Sequence, residues 1–132
     1  MTAAILCVDD EEIVLRALSQ DLNRHFKDDY LIELAQSAED AFEILDELKS
    51  DGIRILVIVS DWLMPGMKGD EFLIKAHKRF PKVIKMLLTG QADKEAIKNA
   101  QLNANLKYTF SKPWDAKELI SKIEEEIGKM ND

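Results

Sequence analysis

Five short apolar runs recur along the chain, and the stretches between them carry a different period. The runs are Ile5–Val8, Leu31–Ala35, Ile53–Val59, Val83–Leu88 and a weaker Leu106–Phe110. Several are continuously apolar instead of alternating, the pattern of strands covered on both faces. Between them lie stripes at helical spacing. Ile13, Val14, Ala17, Leu18 and Leu22 form the first; Ala38, Ala41, Phe42, Leu45 and Leu48 form the second, opened by Ser37 as an N-cap. Phe72, Leu73 and Ala76 mark a third helix, Ala96, Ile97 and Ala100 a fourth, and Leu119, Ile120, Ile123 and Ile127 a fifth. The order βαβαβαβαβα predicts a parallel sheet with helices on both faces, joined by right-handed crossovers. No linker, internal repeat or low-complexity stretch interrupts the pattern, and 132 residues hold one core but no second domain, so residues 1–132 are expected to form a single domain.

Composition removes several function classes. No run approaches the roughly 18 apolar residues of a membrane span, and the opening Met-Thr-Ala-Ala lacks the basic start and apolar stretch of a signal peptide. A cytoplasmic protein without membrane contact is expected. A single cysteine, Cys7, with only His25 and His77 beside it, supplies too few ligands for structural zinc, so metal chemistry would use oxygen ligands. The formal charge of −7 is uneven: residues 1–66 hold 15 acidic and 5 basic side chains, residues 67–132 hold 10 and 13. Such a chain does not capture nucleic acid electrostatically. Its one basic cluster, Lys75, Lys78, Arg79, Lys82 and Lys85, has no interleaved stacking aromatics and is expected to be a solvated helix end and turn.

In an open parallel sheet, ligands bind beyond the carboxyl ends of the strands, where strand order reverses. The polar residues there are Asp9 and Asp10 after the first strand, Asp61 after the third, Thr89 after the fourth and Lys112 after the fifth. In the five-stranded order 2-1-3-4-5 the first and third strands are neighbours, and the three aspartates converge. Clustered carboxylates repel, and a hard divalent cation resolves the repulsion. Mg²⁺ takes a few carboxylate or carbonyl oxygens and keeps positions open for waters and phosphate. A phosphoryl group at Asp61 would then be compensated by the Lys112 ammonium and the Thr89 hydroxyl, which is what phosphoryl transfer requires. Asp61 would be the nucleophile of a mixed anhydride.

At these residues the sequence resembles the receiver domains of two-component response regulators. The resemblance rests on Ile5-Leu-Cys-Val-Asp-Asp-Glu-Glu12, Val59-Ser-Asp-Trp-Leu-Met-Pro-Gly-Met-Lys-Gly69, Leu87-Leu-Thr-Gly90 and Ser111-Lys-Pro-Trp114, which in order and spacing cover essentially the whole chain. It implies a flavodoxin-like doubly wound (βα)5 fold. It also implies Asp61 as phosphoacceptor, Asp9 and Asp10 as an acidic Mg²⁺ site with Asp10 the more direct ligand, and the Leu63 backbone carbonyl as a further ligand. Thr89 and Lys112 would be the switch hydroxyl and the phosphate-binding lysine, with a cis Lys112-Pro113 bond. The implied donor is a phosphohistidine on a sensor histidine kinase or histidine phosphotransfer protein, and the readout an altered surface for an output domain or protein. Such a chain is no conventional enzyme; it catalyses its own aspartate phosphorylation and dephosphorylation, as a monomer or weak dimer. Leu63 and Gln91 would neighbour the path of hydrolytic water.

One position departs from the family pattern. Three residues before the lysine, where an aromatic side chain turns inward on activation, stands Thr109, flanked by Tyr108 and Phe110. Signalling is therefore expected to rest on the Thr89 loop and the fourth helix, with Leu106, Tyr108 and Phe110 sharing one packed face. The competing reading is a haloacid-dehalogenase-like phosphatase, with its aspartate nucleophile after the first strand and Glu11 as the second acid. It lacks the late acidic pair and the longer chain of that fold. A flavin mononucleotide module lacks a Ser/Thr-rich phosphate loop. Cys7, Trp62, Trp114, Met64, Met67 and Met86 are expected to pack, and His25 and His77 to lie at the surface or its boundary.

Overall fold

The computed structural model describes residues 2–90 and 94–130. In chain order it contains β1 (Ala3–Val8), α1 (Glu12–Phe26), β2 (Leu31–Ala35), α2 (Ala38–Ser50), β3 (Arg54–Ser60), α3 (Gly69–Arg79), β4 (Ile84–Thr89), α4 (Lys94–Asn103), β5 (Tyr108–Ser111) and α5 (Ala116–Met130). The strands form one parallel sheet in the order β2-β1-β3-β4-β5. This is the flavodoxin-like doubly wound arrangement, with its switch point between β1 and β3.

Burial explains why the central strands read as unbroken apolar runs. All six residues of β1 are buried, because alternate side chains enter different cores. Ala4, Leu6 and Val8 join Leu45, Phe72, Leu73 and Ala100 on the α2–α3–α4 side. Ala3, Ile5 and Cys7 join Leu15, Leu22, Leu119 and Ile123 on the α1–α5 side. Each of the Val, Leu, Ile and Phe side chains among them contributes roughly 1.5–3 kcal/mol by leaving water. The edge strand β2 is covered less completely, and Leu31 and Leu34 remain partly exposed. Cys7 sits within the second core, where burial pushes its thiol up to about 12 and leaves it inert.

The local signals are largely met. Ser37 caps α2, its Oγ accepting the Asp40 N–H at 3.0 Å. The Lys112-Pro113 bond is cis. Trp114 donates from Nε1 to Asp21 Oδ2 at 3.1 Å, tying the start of α5 to α1.

Two expectations need correction. Leu106 does not share a face with Tyr108 and Phe110. Asn105 takes a left-handed φ of 54°, tolerable for asparagine, and the Leu106 N–H then closes on the Ala100 carbonyl at 3.2 Å. The strand starts two residues later than its apolar pattern, leaving Leu106 in the α2–α3–α4 core and Phe110 in the other. Lys85 is no part of a solvated basic cluster. It is 1% exposed on β4, and its ammonium is held by His77 Nδ1 at 2.7 Å, the Phe80 carbonyl at 3.0 Å and the Pro81 carbonyl at 3.3 Å. Three acceptors match three ammonium donors, which makes the buried charge tolerable.

Candidate functional site

Each site residue stands where a strand ends. The Asp9 N–H donates to the Ala35 carbonyl at 3.0 Å and the Asp61 N–H to the Val8 carbonyl at 2.8 Å, so ladder bonds continue one residue past β1 and β3. Those bonds fix the two aspartate backbones side by side at the switch point. Thr89 closes β4 in register with Ser111 of β5, and the Lys112 N–H donates to the Thr89 carbonyl at 3.1 Å. Lys112 thereby leaves the sheet beside Thr89, and its side chain crosses to the aspartates.

The ammonium of Lys112 bridges two carboxylates, 2.7 Å from Asp9 Oδ2 and 3.2 Å from Asp61 Oδ1. Asp9 is 1% exposed and spends its other oxygen, Oδ1, on the Glu11 N–H at 2.9 Å. It is therefore no side-chain cap of α1, whose N-cap is Glu11; it holds the lysine and the turn into the helix. Asp10 is exposed, and oxygens of Asp9, Asp10 and Asp61 all lie within 4.8 Å of one another. Asp61, Leu63, Thr89, Gly90, Lys112 and Glu11 line one cavity.

Charge follows from this geometry. Burial, with the neighbouring Asp9 carboxylate adding to it, raises the Asp61 pKa; the Lys112 charge and hydrogen bond and the Trp62 backbone pull it back only in part. Burial alone would lower Lys112, but its bond to Asp9 and the charges of both aspartates outweigh burial and raise it. A raised carboxylate beside two others is a site short of positive charge. Three hard oxygen donors within reach of one point, next to an opening toward solvent, fit Mg²⁺ in chemistry and in number.

The loop after Asp61 is held from several sides. The Gly69 N–H donates to the Trp62 carbonyl at 2.7 Å, and a Cβ at Gly69 would lie 2.0 Å from the Asp61 carbonyl oxygen. Only glycine permits α3 to start this close to the acceptor's backbone. Trp62 is buried, donates from Nε1 to Asp70 Oδ1 at 3.0 Å, and carries the Lys68 ammonium 5.1 Å above its ring. Met64 is buried as well.

All of Asp9, Asp10, Asp61, Leu63, Thr89 and Lys112 thus come to the β1–β3–β4–β5 edge; Gln91 lies outside the described residues. Glu11, named only as the second acid of the phosphatase reading, and Gly90, quoted only within a motif, also line the cavity, and Gly69 too was only part of a motif. Its signal was a glycine four residues after Pro65 with no turn to explain it. Thr109 is exposed, whereas Tyr108 and Phe110 turn to the α5 side. The Tyr108 hydroxyl lies 3.4 Å from Glu126 Oε2, and Lys122 sits over its ring.

A five-stranded doubly wound sheet with an acidic pocket and a lysine at its switch point defines a class of α/β domains that place their binding site beyond the carboxyl ends of the strands. Within that class the assignment is specific. The family model of the response regulator receiver domain matches residues 5–124, and the chain belongs to that family of two-component receivers. It is 30% identical to the hydrogenase transcriptional regulatory protein HoxA of Cupriavidus necator over 95% of its own length, and spans 24% of that relative. It is 28% identical to a chemotaxis protein CheY homolog of Campylobacter jejuni, with 94% of this chain and 92% of that protein aligned. The solved signal receiver domain of an HD domain-containing protein from Pseudomonas fluorescens Pf-5 superposes with a TM-score of 0.87 at 27% identity, covering 99% and 98% of the two chains. The haloacid-dehalogenase-like alternative finds no support, and Glu11, its required second acid, is the N-cap of α1. No helix among the described residues is long and apolar enough to cross a membrane.

Proposed function

We propose that Asp61 accepts a phosphoryl group from a phosphohistidine of a sensor kinase or phosphotransfer protein, and that residues 1–132 act as one cytoplasmic receiver domain. The observation that carries this reading is the Lys112 ammonium bridging Asp9 and Asp61 beside a third carboxylate. An Asp61 carboxylate oxygen bonds phosphorus as the donor's N–P bond breaks, and the electron pair leaves with the imidazole nitrogen. Lys112 is placed to follow the charge from the carboxylate onto the phosphoryl oxygens, and Thr89 on the cavity wall to donate to another. Asp9, Asp10 and Asp61, with the Leu63 carbonyl, are the residues that would hold Mg²⁺, Asp10 more directly than Asp9, which also holds Lys112. Mg²⁺ supplies compensating charge to the carboxylates and the phosphoryl oxygens.

The readout runs through Thr89 and α4. Thr109 has no ring to turn inward, and Tyr108 and Phe110 are committed to the packing against α5. Partners that sense the state would be an output domain or protein reading the α4 side. The experiment is incubation with acetyl phosphate, followed by intact mass. One added phosphoryl group that requires Mg²⁺ and is lost in Asp61→Asn is expected; incorporation that persists in Asp61→Asn, or turnover of a generic phosphate ester, overturns the reading.

A further inference from the structure

The sheet has a second opening at its other end. At the amino ends of β3 and β4, between the α2–β3 turn and the α3–β4 loop, lies a cavity of about 450 Å³. It is separate from the phosphorylation site: β3 runs from this opening at Arg54 to Asp61, and seven residues of strand span roughly 23 Å. Its floor is apolar, made by Ile55 and Val83, and Phe80 and Pro81 wall one side. Gly52, at φ 72° in the turn, leaves the opposite side without a side chain.

The rim has an unexpected sign. Lys49, Arg54 and Lys82 line the opening, all exposed, and no acidic residue does so among the described residues. In a chain of net charge −7 such a local concentration of cations needs a reason. Helix ends account for part of it, because Lys49 lies in the last turn of α2 and complements its dipole. They do not account for Arg54 and Lys82. Arg54 opens β3 and Lys82 lies in the α3–β4 turn, and both line the same opening. Cations gathered at one opening repel unless an anion lies between them. Arg79, the other nearby cation, is already paired with Asp46.

We propose that this opening is a binding site for a small amphiphilic carboxylate, an alkyl or aryl acid whose apolar body lies on Ile55, Val83 and Phe80 and whose carboxylate meets Arg54 and Lys82. The volume falls in the range of small-molecule pockets, and the apolar floor excludes a fully hydrated anion such as inorganic phosphate. One wall is braced: the Phe80 and Pro81 carbonyls accept from the buried Lys85 ammonium, so the site is built before any ligand arrives.

The test is titration of the full chain with decanoate, below its micellar range, followed by backbone amide NMR shifts. Expected are saturable shifts centred on residues 52–55 and 80–83, at least about tenfold weaker binding in the surface double variant Arg54→Glu/Lys82→Glu, and weaker binding of uncharged decanol. Both reversals are at exposed side chains, and an unchanged amide spectrum elsewhere verifies the fold. Absence of saturable shifts, shifts centred on the Asp61 cavity, equal binding by the charge-reversed variant, or equal binding of decyltrimethylammonium overturns the proposal.

Discussion

Lys112 carries the electrostatic balance of the phosphorylation site, because its single ammonium serves two buried carboxylates at once. Replacing it by methionine leaves Asp9 and Asp61 facing each other and pushes Asp61 further toward its protonated form. We expect Lys112→Met to slow phosphorylation by acetyl phosphate about 100-fold, the cost of removing one preorganised charge-stabilising donor; time courses of intact mass measure it, and an unchanged rate contradicts the role. Gly69 acts through backbone instead. Gly69→Ala places a methyl 2.0 Å from the Asp61 carbonyl oxygen, and we expect a loss of about 3 kcal/mol in urea unfolding, at the top of the overpacking range. At this scale the sequence was readable where chemistry sits at strand ends, as with Asp9, Asp10, Asp61, Thr89 and Lys112. It was not readable where a role depends on two distant segments meeting. Lys85 looked like one more surface cation because two of its three acceptors are carbonyls of a turn, which no pattern of side chains announces.

The α3–β4 junction is the element with a built-in dependence on pH. Burial, and then the Lys85 charge, hold the His77 pKa below its ordinary value of 6.5, and burial lowers Lys85 from 10.5 to about 8. Both groups bind protons less readily in the folded protein than in the unfolded chain, so both make stability rise with pH. For His77 the window lies below 6.5, where the unfolded chain protonates first; for Lys85 it runs from about 8 to 10.5. Chemical denaturation across pH should therefore show His77→Gln losing slope on the acid side, and Lys85→Met losing it on the alkaline side with a smaller loss on the acid side, where its charge no longer depresses His77. Equal slopes in variant and parent would show that the three-acceptor cage cancels the cost of burial. Helices and central strands were legible because both faces of the sheet are covered and each covering helix keeps one apolar stripe. The fifth strand was misplaced by two residues, since Leu106 is apolar for α4's sake and the left-handed Asn105 that separates it from β5 has no hydrophobic signature.

For the molecule as a whole, the charge that excluded nucleic acid turns out to be divided between two ends of one sheet. The carboxyl edge concentrates acids around Asp61 and the amino edge gathers cations around Arg54 and Lys82. An acidic cluster held together by folding should make the metal-free protein less stable than its core permits. We expect Mg²⁺ at about 100 times its dissociation constant to add about 2.7 kcal/mol, read as a rise in thermal midpoint that Asp10→Ala removes. Asp61→Asn should raise the midpoint without Mg²⁺, since it deletes the carboxylate whose ionisation burial and Asp9 oppose. Phosphoryl chemistry is expected at one carboxylate of this molecule. Borohydride reduction after acetyl phosphate treatment, followed by peptide mass mapping, reads this out, because reduction converts an aspartyl phosphate to homoserine; we expect homoserine at position 61 and nowhere else. Homoserine at position 9 or 10, or label that survives as phosphohistidine or phosphoserine with position 61 unaltered, would contradict it.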